Sequence, residues 1–72
     1  MSLLGDRLKQ LRKLKNVMQK DIAKEFGVVV RAYQRYEYGD REPNLAKLIA
    51  LADYFDVSLD YLVGRSDDPS RH

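Results

Sequence analysis

Residues 19–36 read Gln19-Lys-Asp-Ile-Ala-Lys-Glu-Phe-Gly-Val-Val-Val-Arg-Ala-Tyr-Gln-Arg-Tyr36, the pattern needed by two short helices that cross steeply over a tight turn. Ala23 is small where the first helix must press closely on the second. Gly27 supplies the positive φ of the turn, which residues bearing a Cβ resist. Ile22, Phe26, Val28, Tyr33 and Tyr36 put apolar groups at the contacts between the two. The second helix is predicted over about residues 29–38, with Tyr33, Tyr36 and Glu37 inward and Gly39 as its stop.

Outward from this stretch, apolar residues recur at helical spacing along nearly the whole chain, and no segment shows the period-two alternation of a half-buried strand. An all-α fold of five helices follows. Leu4, Leu8, Leu11 and Leu14 form one apolar stripe on a helix over about 5–15, whose other faces carry Lys and Arg. From Gly39 to Asn44 the chain reads as loop: Pro43 holds Glu42 extended, and Asn44 is a favourable N-cap. Leu45, Leu48, Ile49, Ala52 and Phe55, broadened by Leu51 and Tyr54, give the next helix, about 45–55, its buried stripe. Ser58 then caps a short last helix, with Asp60 near the positive end of its dipole and Gly64 as its stop. Leu59 and Leu62 are expected in the core, whereas Val63 fits either the core or a two-fold interface. The domain is expected over residues 1–65. Residues 66–72 are polar, contain Pro69 and lack an apolar anchor, which predicts a disordered tail or linker stub.

The chain has 72 residues and no cysteine. A domain of this length buries only about 60% of the surface of its unfolded chain, which leaves little room for an enclosed cleft. Without cysteine there is no disulfide framework and no thiolate metal site, a composition that fits a cytoplasmic protein. No segment approaches the ~18 apolar residues of a membrane span, and the start lacks a signal-peptide pattern, so no membrane partner is expected. Met1-Ser2-Leu3 also reads as a possible expression remnant. Charge is divided along the sequence: residues 1–36 carry nine basic against three acidic groups, or +6, and residues 37–72 carry four against eight, or −4. Such a division turns a positive side toward a polyanion and keeps the other end away from it.

The whole set of residues is more specific than any one of them. Gln19-x-x-Ile-Ala, Phe26-Gly-Val, Tyr36-Glu-x-Gly, Arg41-Glu-Pro and Leu51-Ala-Asp-Tyr-Phe-x-Val-Ser-Leu-Asp-Tyr-Leu-x-Gly64 resemble the phage Cro and repressor-type helix-turn-helix family, also called the xenobiotic-response-element family, over about residues 4–65. The resemblance implies a five-helix domain that binds operator DNA as a homodimer and represses transcription. It also implies that Gln19 bonds a backbone phosphate and that Arg12 and Glu37 pair to join the first helix to the third. Arg41 is a further phosphate candidate by resemblance, and Lys20 and Lys15 add general electrostatic attraction. Two positions depart from the family pattern, which places hydroxyl residues where this chain has Met18 and Val29.

A helix with its side chains is about 10–12 Å across and the major groove of B-DNA about 12 Å wide, so a reading helix must keep bulky core residues off its outer face. With Tyr33, Tyr36 and Glu37 inward, that face is Val30, Arg31, Gln34 and Arg35. Arg31 or Arg35 can donate two bonds to guanine, Gln34 can pair with the adenine edge, and Val30 can pack against a thymine methyl. Ala23 and Gly27 are assigned to supporting the bend. An enzyme is not expected, because His72 is the only histidine and Ser58, Ser66 and Ser70 have no base nearby in sequence. Asp53, Asp56 and Asp60 read as solvated or capping groups rather than metal ligands, and neither a cofactor nor a small-molecule effector is expected. The rival reading is a protein-interaction module that has lost DNA binding. A reading helix stripped of donors would mark it, and Arg31, Gln34 and Arg35 are donors.

Overall fold

Five helices follow one another along residues 3–71, the residues that the computed structural model describes: α1 (Leu3–Lys15), α2 (Gln19–Glu25), α3 (Val30–Tyr38), α4 (Leu45–Phe55) and α5 (Leu59–Leu62). No strand occurs among the described residues, as the helical periodicity requires. Met1, Ser2 and His72 lie outside them, and so do the readings attached to those residues.

Three of the helices stop on a left-handed residue followed by valine. Asn16, Gly27 and Asp56 adopt left-handed conformations with φ of 60, 66 and 56°. The next residue in each case donates its N–H back over the last turn: Val17 to the Arg12 carbonyl at 3.2 Å, Val28 to Ala23 at 3.0 Å and Val57 to Ala52 at 3.0 Å. Glycine takes this conformation without penalty, and Asn and Asp tolerate it better than other residues. The valine after each stop turns back onto the core, Val57 buried and Val17 and Val28 packed against it. At only seven and four residues, α2 and α5 are too short to persist alone, so packing holds them.

The core consists of Leu8, Ile22, Ala23, Tyr33, Tyr36, Leu51, Ala52, Val57 and Leu62. Around it α3 packs against both α1 and α2, while α4 packs against α5 and α1. The crossing of α1 and α3 is close because Gly5 has no side chain: a Cβ there would stand 2.4 Å from the Glu37 carbonyl oxygen. Phe26, the C-cap of α2, meets Tyr54 of α4 edge to face at 5.5 Å between ring centroids.

Three expected core residues lie outside it. Leu14 is 83% exposed; it sits roughly 120° round the helix from Leu8, at 3.6 residues per turn, on a last turn that nothing overhangs. Leu45 and Ile49 are 65% and 45% exposed. The buried side of α4 centres instead on Leu51 and Ala52, with Leu48 and Phe55 half-buried, which rotates Leu45 and Ile49 to its margin. Leu62 is fully buried, and Leu59 and Val63 are half-buried.

Residues 65–71 fold back over α5, held by polar groups where an apolar anchor is missing. The buried Arg7 stacks on the Tyr61 ring at 4.0 Å from its centroid. Its guanidinium donates to the carbonyls of Tyr61 and Ser66, the latter at 2.8 Å, and to the Asp67 carboxylate at 2.9 Å. Ser58 N–H donates to the Pro69 carbonyl at 3.0 Å, and Arg71 pairs with Asp53 at 2.6 Å and Asp56 at 3.4 Å. The expected free tail is therefore tied to the domain, because Arg7 sits in the interior and collects the carbonyls that pass it.

Candidate nucleic-acid interface

Helix α3 turns Tyr33, Tyr36 and Glu37 inward and leaves Val30, Arg31 and Arg35 exposed along one side, with Gln34 half-buried between them. Arg31 makes no ion pair among the described residues. Arg35 lies 3.5 Å from Asp40, both ends exposed; such a surface pair contributes only about 0–1 kcal/mol, so Arg35 can leave it at little cost. Lys20 and Arg41 are exposed on α2 and on the loop after α3. Lys15 holds its ammonium 4.8 Å from the Tyr54 ring centroid.

Gln34 is half-buried because it belongs to a polar ladder that ties three helices together. Arg12 of α1 donates from Nε to Glu37 Oε2 at 2.7 Å and from Nη2 to Oε1 at 3.3 Å. Gln19 of α2 donates from Nε2 to the same Oε1 at 3.1 Å. Gln34 Nε2 in turn donates to Gln19 Oε1 at 3.1 Å. Arg12 further braces the end of α1 by donating to the Val17 carbonyl at 3.2 Å. Burial pushes the Glu37 carboxyl up, but hydrogen bonds from Arg12 and Gln19, with the neighbouring Tyr33 hydroxyl, more than offset it and leave the group below the usual range. The Tyr33 hydroxyl is buried without a partner in hydrogen-bonding geometry, and burial beside Glu37 pushes its pKa well up.

The sequence pairs Arg12 with Glu37 and marks Gln19 and Gln34 separately, with no sign that one carboxylate serves both Arg12 and Gln19 or that Gln19 touches Gln34. Asp21 was also missed. Met18 is the N-cap of α2 and has no side-chain cap bond, but Asp21, three residues on, accepts the Met18 N–H at 3.0 Å. Half of a capping box survives there; an acid three residues after the cap was the available signal. Val29 is the N-cap of α3, extended at φ −73° and ψ 153°, with no cap bond and 71% exposure.

Helix α3 packed against α2 and braced by α1, with its outer side open, is the arrangement of a helix-turn-helix, and the helix-turn-helix family model matches residues 8–62. This chain belongs to the helix-turn-helix family. Its relatives include the HTH-type transcriptional regulators YobD and AnsR of Bacillus subtilis (strain 168). YobD is 41% identical over 63 residues, 88% of this chain and 56% of that protein; AnsR is 45% identical over 60 residues, 83% and 52%. The cryptic phage CTXphi transcriptional repressor RstR of Vibrio cholerae serotype O1 is 37% identical over 62 residues, 86% and 55%. The chain thus spans about half the length of these relatives. The crystal structure of the P22 c2 repressor protein in complex with a synthetic operator superposes with a TM-score of 0.82 at 32% identity, over 92% of this chain and 100% of that one. The kinship with phage repressors read from the sequence holds for this helix-turn-helix member in both sequence and fold.

Proposed function

We propose that this chain is a transcriptional repressor that binds double-stranded operator DNA as a homodimer, with α3 in the major groove. The observation that carries the reading is the outer side of α3, where Val30, Arg31, Gln34 and Arg35 project from a helix braced by the Arg12–Glu37 pair. Arg31 and Arg35 offer bidentate donors to guanine, Gln34 meets adenine, and Val30 meets a thymine methyl. Gln19 keeps a second amide hydrogen for phosphate, and Lys20 and Arg41 add phosphate contacts from α2 and the following loop. Ala23 and Gly27 set the bend, and Arg12 and Glu37 hold it. The +6 half of the chain contains α1, α2 and most of α3 and supplies the attraction.

Two copies on half-sites one helical turn apart have centres about 34 Å apart. No described helix is long and apolar enough to cross a membrane; the proposed site of action, on operator DNA, is the cytoplasm. Selection of bound sequences from random duplexes, repeated across a salt series, tests the reading. It stands if one two-fold sequence is enriched and affinity falls with salt; it fails if no sequence is enriched or salt has no effect. Arg31→Ala relaxes preference at one position. Lys20→Ala and Arg41→Ala weaken all sequences alike and each lowers the salt slope by about 1.

A further inference from the structure

Glu37 is acceptor-only when ionised, so every group bonded to it must donate. Gln19 therefore turns its amide nitrogen toward Glu37 Oε1, at 3.1 Å, and its carbonyl oxygen toward Gln34. Gln34 can answer that oxygen only with its own nitrogen, also at 3.1 Å. What remains of the Gln34 amide is its oxygen and one hydrogen: one acceptor and one donor in a plane. That pair matches the adenine edge, which offers the N6 donor and the N7 acceptor. A ladder running the other way would engage the Gln34 oxygen as an acceptor and free both of its hydrogens, which match the two acceptors of guanine, O6 and N7.

We infer that Glu37 is a positioning residue for base recognition: its carboxylate sets the direction of the Glu37–Gln19–Gln34 ladder and thereby makes Gln34 a reader of adenine rather than guanine. The inference rests on the proposal that α3 enters the groove with Gln34 among its readers. Arg12 keeps the carboxylate seated and charged. In Glu37→Gln the Arg12 donors take the new amide's oxygen and leave its nitrogen facing Gln19. Gln19 then accepts, donates to Gln34 through its own nitrogen, and the ladder reverses.

The test compares bases selected by the wild-type chain, Gln34→Ala, Glu37→Gln and Arg12→Lys, each checked for folding by a thermal melt. Gln34→Ala identifies the position concerned by erasing its preference. There, Glu37→Gln is expected to lower the preference for adenine over guanine by about five-fold or more, within the range of one bidentate pair, with other positions unchanged. Arg12→Lys loses the two-point pair but keeps the carboxylate charged, so it should melt earlier and still select adenine. The inference is overturned if Glu37→Gln keeps the adenine preference, if Arg12→Lys loses it equally, or if Gln34→Ala changes no position. A wild-type chain that selects no sequence overturns the operator-binding reading and this inference with it; one that selects adenine while Glu37→Gln does so equally overturns the inference alone.

Discussion

At Met18 and Val29 the backbone is already in the extended N-cap conformation, and only the side-chain acceptor is missing. The first N–H groups of α2 and α3 therefore depend on solvent. Val29→Ser places a hydroxyl at the cap and removes an apolar side chain that is 71% exposed. It is expected to stabilise the domain by up to about 1 kcal/mol, which a domain of this size shows as a rise of about 4–8 °C in melting temperature. A melt with no gain would show that Val29 packs against something in solution. Gly5 and Gly27 are needed for different reasons, and substitution separates them. Gly27 has open space around it but a φ of 66°, whereas at Gly5 the obstacle is the α3 backbone. Alanine is the better helix former by about 1 kcal/mol, yet Gly5→Ala should destabilise by about 1–3 kcal/mol, because the new Cβ meets a carbonyl rather than a side chain able to yield. A chemical-denaturation midpoint that rises for Gly5→Ala would show that α1 can move off α3.

Among elements, α3 is tied to α1 and α2 through the charge of Glu37. Glu37 ionises more readily folded than unfolded, so its contribution is present above the ordinary carboxylate range and is lost as pH falls through the lowered value. Tyr33 has the opposite sign. Its folded pKa is raised, so its neutral form contributes fully below the ordinary tyrosine pKa of about 10, and that contribution is lost as pH rises above it. Stability should therefore fall below about pH 4.5 and again above about pH 10. Tyr33→Phe should soften the alkaline fall and, by deleting a buried hydroxyl without a partner, cost less than 1 kcal/mol at neutral pH, to order of magnitude, or even stabilise. An alkaline limb unchanged in denaturation curves of Tyr33→Phe would assign it to other groups. The helix boundaries were readable in the sequence because stops and caps are local chemistry: Asn16, Gly27, Gly39, Asn44 and Ser58 act on residues within one turn. Which side of α4 is buried was less readable, since Leu45 and Ile49 are as apolar as Leu51 and the choice is made by α1 and α5. The ladder was not readable, because Gln19 and Gln34 meet across 15 residues only once the crossing angle is set.

For the whole molecule, Arg7 joins the first turns of α1 to residues 54, 59 and 60 positions away. Periodicity placed a stripe of leucines on α1 but carried no sign that an arginine beside them is buried, since burial of a guanidinium depends on partners supplied at the other end of the chain. Its donors serve two carbonyls and a carboxylate, and its plane lies on Tyr61, so one residue holds both the end of α5 and the return of residues 65–71. Arg7→Met keeps much of the apolar stem and removes all of these polar bonds. The loss should fall mainly on the returning segment, whose other ties to the domain include the Arg65 and Ser66 N–H bonds to the Asp60 carbonyl, the Ser58 bond to Pro69 and the exposed Arg71 pairs, and little on the α1–α3 crossing. Limited trypsin digestion separates the two: Arg7→Met should be cut after Arg65 several-fold faster than the wild-type chain, to order of magnitude, while the resistant remainder keeps its helical signal. DNA affinity should change little, because the segment leaves from α5 and not from α3. Equal cutting rates would mean that the other ties hold the segment without Arg7. Digestion that spread through α1 and α3 would mean that the clamp supports the core itself, and the two ends of this chain would then fold as one unit.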